Sequence, residues 1–242
     1  MTPRLTLVQY PGLSRGATLS PPCGKAQMAL RFKQLEFDVR NVGGPWQAKR
    51  YNPRGRVPVL LVDDVPIVDS TDILTELDRR FPEPPLAPRV PRDAMWAKIL
   101  EDWADEVLYF YAVYLRWCVK ANVARMRRVG FAGVSASTRW LVAPLAIRIV
   151  RSRARKQGVG LKDEATVERE FDECLTTIEQ MLAVGPWLAG PDPSRADLAV
   201  CAVLDQLRIE RLTPDAAFAI GARSALREWT DRLHVLAPNA AG

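Results

Sequence analysis

The spacing of hydrophobic positions changes once along the chain. In the first 85 residues, short apolar runs alternate with amphipathic segments, whereas from residue 96 onward the apolar positions recur every three to four residues. Short apolar or alternating runs are typical of strands, and a three-to-four spacing is typical of helices. The pattern predicts a β-α-β unit, a loop and a β-β-α unit, followed by an all-helical region.

Local residue choice predicts where the first helices begin. Ser20 precedes two prolines, and this order is typical of a helix start, because a serine hydroxyl can cap the first turn and proline is tolerated there. The run D-S-T-D at 69–72 is a second capping sequence. The predicted strands cover 5–10, 35–39, 57–62 and 65–68.

A proline-rich segment separates the two patterns. Residues 82–92 contain five prolines, so a helix cannot continue through them and the segment should form a stiff linker. We therefore predict a first domain over residues 1–82, a linker over 83–92 and a helical domain over 93–242. Helical patterns within that domain lie at 96–118, 138–156, 165–182, 197–209 and 222–236.

Composition bounds the protein class. The chain has 242 residues, of which 48% are hydrophobic and 26% are charged, an ordinary composition for one large or two small globular domains. This excludes a wholly disordered, collagen-like or coiled-coil chain. The net charge of +6 favours anionic partners without identifying them.

Cysteine and histidine usage argues against metal and triad chemistry. Four cysteines lie far apart with no C-x-x-C pair, and His234 is the single histidine. This pattern matches neither a zinc-ligand spacing nor a disulfide framework, and it leaves little room for a Ser-His-Asp triad. We therefore expect no metal, a structural or solvated His234, and, since no signal peptide follows Met1, a cytoplasmic location.

Four short motifs occur in one order along the chain. They are S-P-P-C-G-K-A-Q-M-A-L at 20–30, N-P-R-G-R-V-P at 52–58, V-D-S-T-D-I at 68–73 and S-R-A-D at 194–197. With these motifs the chain resembles the cytosolic glutathione transferase superfamily. The resemblance implies an α/β plus all-α architecture, in which a thioredoxin-like N-terminal domain precedes a glutathione-transferase-type helical domain.

The loop before the first motif is longer than in the commonest members of that superfamily. With its 11–19 loop, the chain looks more like the branch that contains metaxin-like and failed-axon-connections-like proteins. Some members of that branch are not established as enzymes. Two functions therefore stay open: a glutathione transferase, and a non-catalytic scaffold or membrane-associated interaction module.

The resemblance places the reactive-site residue at Ser20. A serine hydroxyl at a helix start can donate a hydrogen bond to the glutathione sulfur, where the helix dipole also favours the thiolate. Ser20 could instead act only as a helix cap. Cys23, in the first helical turn, is the alternative reactive residue, and a nucleophilic Cys23 would give a glutaredoxin-like thiol transferase.

The resemblance also implies which residues bind glutathione. It implies a cis peptide between Val57 and Pro58, where the backbone before the proline pairs with the cysteinyl unit of glutathione. Asp69 and Ser70 would hold the γ-glutamyl end at a helix N-terminus. Arg56 would hold the glycyl carboxylate.

The helical region carries an aromatic cluster and a basic segment. Six aromatic residues fall within fifteen positions, more than one buried face needs, so we expect Tyr111, Tyr114 and Trp117 to line a hydrophobic substrate site. Residues 120–156 are rich in Arg and Lys, which indicates a solvated face, an anionic partner or peripheral membrane contact. We expect no nucleic-acid binding, because no known module occurs.

The resemblance implies one reaction type without naming its substrate. Glutathione would serve as co-substrate, and its activated thiol would attack a hydrophobic electrophile, as in detoxification. The resemblance also implies a homodimer, which is the typical oligomeric state of the superfamily. Conjugation, isomerisation, dehalogenation and peroxide reduction all start from the same thiolate, so the sequence leaves the electrophile open.

Overall fold

A four-stranded mixed sheet forms the first part of the chain, in a computed structural model that describes residues 3–131 and 136–238. The strands are β1 (Leu5–Gln9), β2 (Asp38–Asn41), β3 (Val59–Val62) and β4 (Val65–Val68), in the spatial order β2-β1-β3-β4. β1 is parallel to β2 and antiparallel to β3, and β4 is antiparallel to β3. The crossover between the parallel strands is helix α1 (Pro21–Phe32).

The strand register brings three chain segments to one end of the sheet. Val59, the first residue of β3, pairs with Val8 of β1 and with Val68 of β4. The residues that follow β1, precede β3 and follow β4 therefore share one edge. Helix α3 (Ser70–Arg80) begins at this edge, and α1 begins there after the loop that follows β1.

The two faces of the sheet are covered differently. Successive strand residues point to opposite faces. Leu7 and Leu60 join the main core together with α1, α3 and the helical domain, whereas Val8 and Val59 join a small second cluster with helix α2 (Pro45–Ala48). The first face therefore carries the contact between the two parts of the molecule.

α-Helices make up most of the rest of the described chain. In chain order they are α4 (Pro91–Trp103), α5 (Tyr109–Trp117), α6 (Lys120–Arg125), α7 (Ala136–Gln157), α8 (Glu164–Val184), α9 (Arg195–Leu207), α10 (Pro214–Gly221) and α11 (Ser224–Leu236). α9 is almost wholly buried and packs on both α1 and α4. Within residues 3–131 and 136–238, none of the helices combines the length and the hydropathy that a membrane span requires.

The structure confirms the predicted fold class, a thioredoxin-like domain followed by a helical domain, and corrects several element bounds. β2 begins at Asp38 rather than at residue 35, because a left-handed turn at Gln34 (φ 54°) follows α1. The helix predicted over 96–118 contains the π-helical turn Ala104–Leu108. α2, α6 and α10 escaped prediction because 4, 6 and 8 residues are too few to establish a period. The domain boundaries stay a prediction.

Candidate functional site

Ser20 is the N-cap residue of α1, and its hydroxyl is not used by the cap. Its backbone is extended (φ −104°, ψ 116°), and its side chain makes no capping hydrogen bond. Pro21 and Pro22 follow and have no N–H to donate. The half-buried hydroxyl is therefore available to a group at the helix start, where the helix dipole favours negative charge.

Cys23 lies one turn further along α1 and is fully buried. Its exposure is 0%, and burial raises the pKa of its thiol from the usual 9.0 to about 11. The nearby polar groups of Ser20, Tyr10 and Thr18 act in the opposite direction but do not outweigh the desolvation. The Cys23 thiol is therefore protonated at neutral pH and shielded from substrate.

Side-chain hydrogen bonds hold the loop that leads to Ser20. The Thr18 hydroxyl donates to the Tyr10 carbonyl at 2.8 Å and accepts from the Ser20 N–H at 3.2 Å. Gln27 of α1 donates to the Gly16 carbonyl at 2.7 Å. The long loop is thus bound back to β1 and α1 along its length.

Arg116 of α5 fixes the same loop from the helical domain. Its guanidinium donates to the Leu19 carbonyl at 2.8 Å and also to the Gln206 carbonyl on α9. The side chain is only 4% exposed, and burial lowers the pKa of the guanidinium to about 10, so it remains charged at neutral pH. The residue directly before Ser20 is therefore anchored by a buried cation.

The Val57–Pro58 peptide bond is cis, as the resemblance implied. Pro58 is buried, Val57 is half-buried and the neighbouring Arg56 is exposed. Asn52 donates to the Arg56 carbonyl at 3.0 Å and so holds the approach to the strand. Among the described residues, neither backbone polar group of Val57 joins a backbone hydrogen bond, so an extended peptide could pair there.

Asp69 and Ser70 form the start of α3. Asp69 has φ 80°, a conformation that is uncommon outside glycine and often marks a functional site. Its carboxylate accepts the Thr71 N–H at 3.0 Å, so it caps the helix, and it is exposed. Ser70 is buried beside it, in the first turn, where N–H groups can receive a carboxylate.

A buried ionic network supports the start of α3. Lys25 Nζ lies 2.6 Å from Glu101 Oε1 and 2.6 Å from Asp105 Oδ2, and donates to the Thr71 hydroxyl at 3.1 Å. Arg195 Nε lies 2.8 Å from Glu101 Oε2. Desolvation raises the pKa of Asp105, although the nearby Lys25 acts in the opposite direction. Charges from α1, α4, α9 and the π-helical turn thus meet under one edge of the sheet.

The predicted aromatic residues point to different parts of the helical domain. The Tyr111 hydroxyl bonds with the Glu170 carboxylate at 3.0 Å, and the Tyr114 hydroxyl donates to the Lys162 carbonyl at 3.1 Å. Trp117 packs edge-to-face on Phe131, with ring centroids 6.3 Å apart. Their role in a hydrophobic substrate site stays a prediction.

Tyr109 of α5 was not selected from the sequence as a site residue, but its phenol interacts electrostatically with three arginines. Burial raises the pKa of its phenol, and Arg153, Arg116 and Arg56 act in the opposite direction. Tyr109 is seven residues before Arg116, so the two share one face of the helix. This seven-residue spacing was the feature of the sequence from which the proximity of Tyr109 to Arg116 could have been predicted.

The basic segment forms a cleft of about 830 Å³ between α5, α6 and α7. Tyr114 and Cys118 supply part of its wall, and the Arg151 guanidinium donates to the Trp117 carbonyl at 2.7 Å. Four arginines line the cleft: Arg127, Arg148, Arg151 and Arg155. All four are exposed, so part of the basic segment lines an open cleft.

Comparisons with known sequences match between a quarter and a third of the chain. Residues 16–85 match the family described as glutathione S-transferase, N-terminal domain. Glutathione S-transferase Z1 of Arabidopsis thaliana is 39% identical over 71 residues, which are 27% of this chain and 32% of that protein. Glutathione S-transferase Z2 of the same plant is 52% identical over 70 residues, which are 26% and 31% of the two chains. The matches thus span about a third of the length of these curated relatives.

Solved structures extend the likeness to nearly the whole chain. A glutathione S-transferase from Methylobacterium radiotolerans, in complex with glutathione sulfonate, is 25% identical with a TM-score of 0.61, covering 99% of this chain and 97% of that one. One from Rhodospirillum rubrum is 19% identical with a TM-score of 0.62, covering 98% and 94%. The chain has the glutathione S-transferase fold. The metaxin-like branch stays a prediction.

Proposed function

We propose that the protein is a glutathione transferase that binds glutathione at the edge of the sheet and activates its thiol with Ser20. The main support is one observation. The strand register brings the start of α1, the unpaired backbone of Val57 and the start of α3 to the same edge. These three segments carry the hydroxyl, the backbone and the helix N-terminus that a small thiol peptide needs.

Glutathione would lie across this edge in an extended conformation. Its cysteinyl unit would pair with the backbone of Val57, next to the buried Pro58. Its γ-glutamyl carboxylate would sit at the first turn of α3, near Asp69 and Ser70. The exposed Arg56 side chain is free to reach the glycyl carboxylate.

The Ser20 hydroxyl would stabilise the glutathione thiolate. A free thiol with a pKa of about 8.5 is mostly protonated at neutral pH, so a donor to the sulfur and the α1 dipole would both increase the reactive form. Cys23 is the weaker candidate because its thiol is buried and its pKa is raised to about 11. These facts favour conjugation over disulfide exchange.

The hydrophobic electrophile would approach from the helical domain. Tyr109 would join the predicted set of Tyr111, Tyr114 and Trp117, because its phenol interacts electrostatically with Arg56 and Cys23. The reaction class stays open among conjugation, isomerisation, dehalogenation and peroxide reduction, and a cytoplasmic detoxification role is part of the proposal.

We also propose a homodimer through α4. Met95, Trp96 and Ile99 are 64%, 53% and 53% exposed on this helix. An apolar face of this kind favours a self-complementary contact between two copies. Multi-angle light scattering should give twice the chain mass, and Trp96→Glu should return it to the chain mass.

Calorimetric titration with glutathione tests the proposed site. We expect saturable binding at millimolar glutathione, and Ser70→Ala should weaken it roughly ten- to hundredfold, since a hydrogen bond to a charged group contributes about 1.5–3 kcal/mol. Ser224→Ala, an exposed serine at the start of α11, is the matched control and should bind as the unchanged protein does. Absence of binding would contradict the proposal.

A membrane-associated scaffold is the second candidate function. On α7, Trp140, Leu145 and Ile149 are 81%, 60% and 42% exposed, beside the arginine-lined cleft. Apolar side chains beside cations are typical of helices that lie on anionic membranes. Sedimentation with phosphatidylserine vesicles, combined with no glutathione binding, would favour this function.

A further inference from the structure

Three potential metal ligands meet between α9 and α11. Cys201 and Asp205 lie four residues apart on α9 and so share one face, and His234 is in the last turn of α11. His234 Nε2 lies 2.8 Å from Asp205 Oδ2 and 3.8 Å from Cys201 Sγ. All three ligand atoms lie within 4.8 Å of one another.

This arrangement differs from a catalytic triad. In a triad the acid and the nucleophile contact opposite nitrogens of the imidazole, which then relays a proton. Here Asp205 and Cys201 both approach Nε2 of His234. Cys201 is also 0% exposed, so a substrate could not reach its sulfur. Three donors that converge on one point are typical of ligands around a cation.

We infer that Cys201, Asp205 and His234 form a Zn²⁺ site. Thiolate, imidazole and carboxylate are the side-chain donors that zinc takes, and three protein ligands plus water make a common open site. Bonds of about 2.0–2.3 Å in a tetrahedron place neighbouring ligand atoms roughly 3.3–3.6 Å apart. The observed separations of 2.8 and 3.8 Å lie on either side of that range, so small side-chain shifts suffice.

Charge and outer contacts suit a divalent cation. A Cys201 thiolate and the Asp205 carboxylate together neutralise Zn²⁺, and His234 binds as the neutral ring. Arg208 lies 3.9 Å from Asp205 Oδ1, the oxygen that does not face the histidine, and its guanidinium donates to the Thr230 hydroxyl at 2.8 Å. Arg208 therefore contacts the outer oxygen of the carboxylate, and Oδ2 is left to face the metal.

The fourth coordination position has a route to solvent. Asp205 and His234 are half-buried and line a cleft of about 400 Å³, whose wall also includes Arg31 of α1 and Gln206 of α9. In the described part of the chain, the buried Gln206 Oε1 has no hydrogen-bond partner. A zinc-bound water would bring a donor into the same cleft.

Metal titration of chelator-treated protein tests the inference. We expect one equivalent of Zn²⁺ to compete with a chromophoric chelator. Co²⁺ as a spectroscopic substitute should give the visible bands of a tetrahedral site and a thiolate-to-cobalt charge-transfer band. Failure of the chain to bind one equivalent of either ion would overturn the inference.

Variants locate the site. His234→Gln and Asp205→Asn should each weaken Zn²⁺ binding by more than the roughly ten- to hundredfold that loss of an outer contact causes. Cys201→Ser should abolish the charge-transfer band. Cys174→Ser, a half-buried cysteine on α8, is the matched control and should keep both. Cys201→Ser changes a buried residue and could prevent folding. In that case His234→Gln, at a partly exposed position, tests whether the three residues bind the metal. Unchanged affinity in folded His234→Gln would overturn the assignment, whatever the outcome with glutathione.

Discussion

Cys23 and Cys201 are buried to the same extent but differ in their neighbours. Both are 0% exposed, and burial raises the pKa of both thiols. Around Cys23 the polar neighbours are hydroxyl and backbone groups, such as Ser20. Around Cys201 they are the imidazole of His234 and the carboxylate of Asp205. Burial therefore makes the Cys23 thiol unreactive, whereas at Cys201 it would shield a bond between the sulfur and a metal. The neighbouring side chains determine which role a buried cysteine has.

The surroundings of the two cysteines also differ in their supporting charges. The edge of the sheet near Cys23 rests on the closed network of Lys25, Glu101 and Asp105. The Cys201 cluster instead opens into a cleft. The first region should therefore be sensitive to loss of a buried charge and the second to the supply of a cation.

The largest effect is expected in the buried network. Glu101→Gln removes one acid between Lys25 and Arg195, and loss of one partner of a buried ion pair typically destabilises by about 3–5 kcal/mol. Urea unfolding measures the change. Asp102→Asn, an exposed acid that pairs with Lys98 one turn away, should lose less than about 1 kcal/mol. If both variants lost a similar amount of unfolding free energy, the buried network would contribute no more to stability than a surface ion pair.

The next effect separates Ser20 from Cys23 by enzyme kinetics. Ser20→Ala should slow conjugation of an aryl halide roughly ten- to hundredfold, because a hydrogen bond to the thiolate contributes about 1.5–3 kcal/mol. The pKa of bound glutathione, followed by thiolate absorbance, should rise. Cys23→Ser should leave the rate nearly unchanged. The opposite pattern would move the site to Cys23 and favour a thiol transferase.

A smaller effect is expected at Arg116, which contacts both regions through Leu19 and Gln206. Arg116→Lys keeps the charge but loses the planar fork, so one buried carbonyl should lose its donor at a cost of about 1–2 kcal/mol. Thermal unfolding measures the loss, and glutathione binding should weaken in the same variant. Arg211→Lys, at an exposed position, should change neither quantity.

The smallest effect is expected in thiol reactivity at neutral pH. Native protein treated with iodoacetamide should leave Cys23 unmodified while half-buried Cys118 reacts first, and urea should expose all four cysteines; peptide mass spectrometry reads the sites. The Cys23 thiol ionises at its usual pKa of 9.0 when unfolded but only near 11 when folded. Its contribution to folding is therefore complete below pH 9 and declines as pH rises through that interval. If iodoacetamide labelled Cys23 of the native protein faster than Cys118, the prediction that the Cys23 thiol is unreactive would be wrong.

Features determined by adjacent residues were predictable from the sequence. The helix starts near Ser20 and Asp69 follow from residues within one turn of each. The cis peptide Val57–Pro58 was implied by the family resemblance, which a motif of seven residues carries at that point. Reasoning from adjacent residues also misses some local features. The π-helical turn at Ala104–Leu108 inserts a residue without interrupting the helical pattern, so periodicity shows a single helix.

Features determined by distant residues were not predictable. Lys25 appears in the sequence only as a basic motif position, yet its partner Glu101 comes from the following domain. His234 was expected to be structural or solvated because it lies alone, but it meets Asp205 across 29 residues. The expectation of no metal rested on the cysteine spacing and on the single histidine, and neither pattern shows which residues the packing of α11 on α9 brings together.

The packing of α1 on α9 has a consequence for synthesis of the protein. About 160 residues separate the end of α1 from the start of α9, so at roughly 5–20 residues per second α1 leaves the ribosome on the order of ten seconds before the helix that covers it. During that interval the side of α1 that carries Gly24 and Met28 has no partner helix. The nascent N-terminal domain therefore presents an uncovered surface that chaperones can bind until α9 arrives.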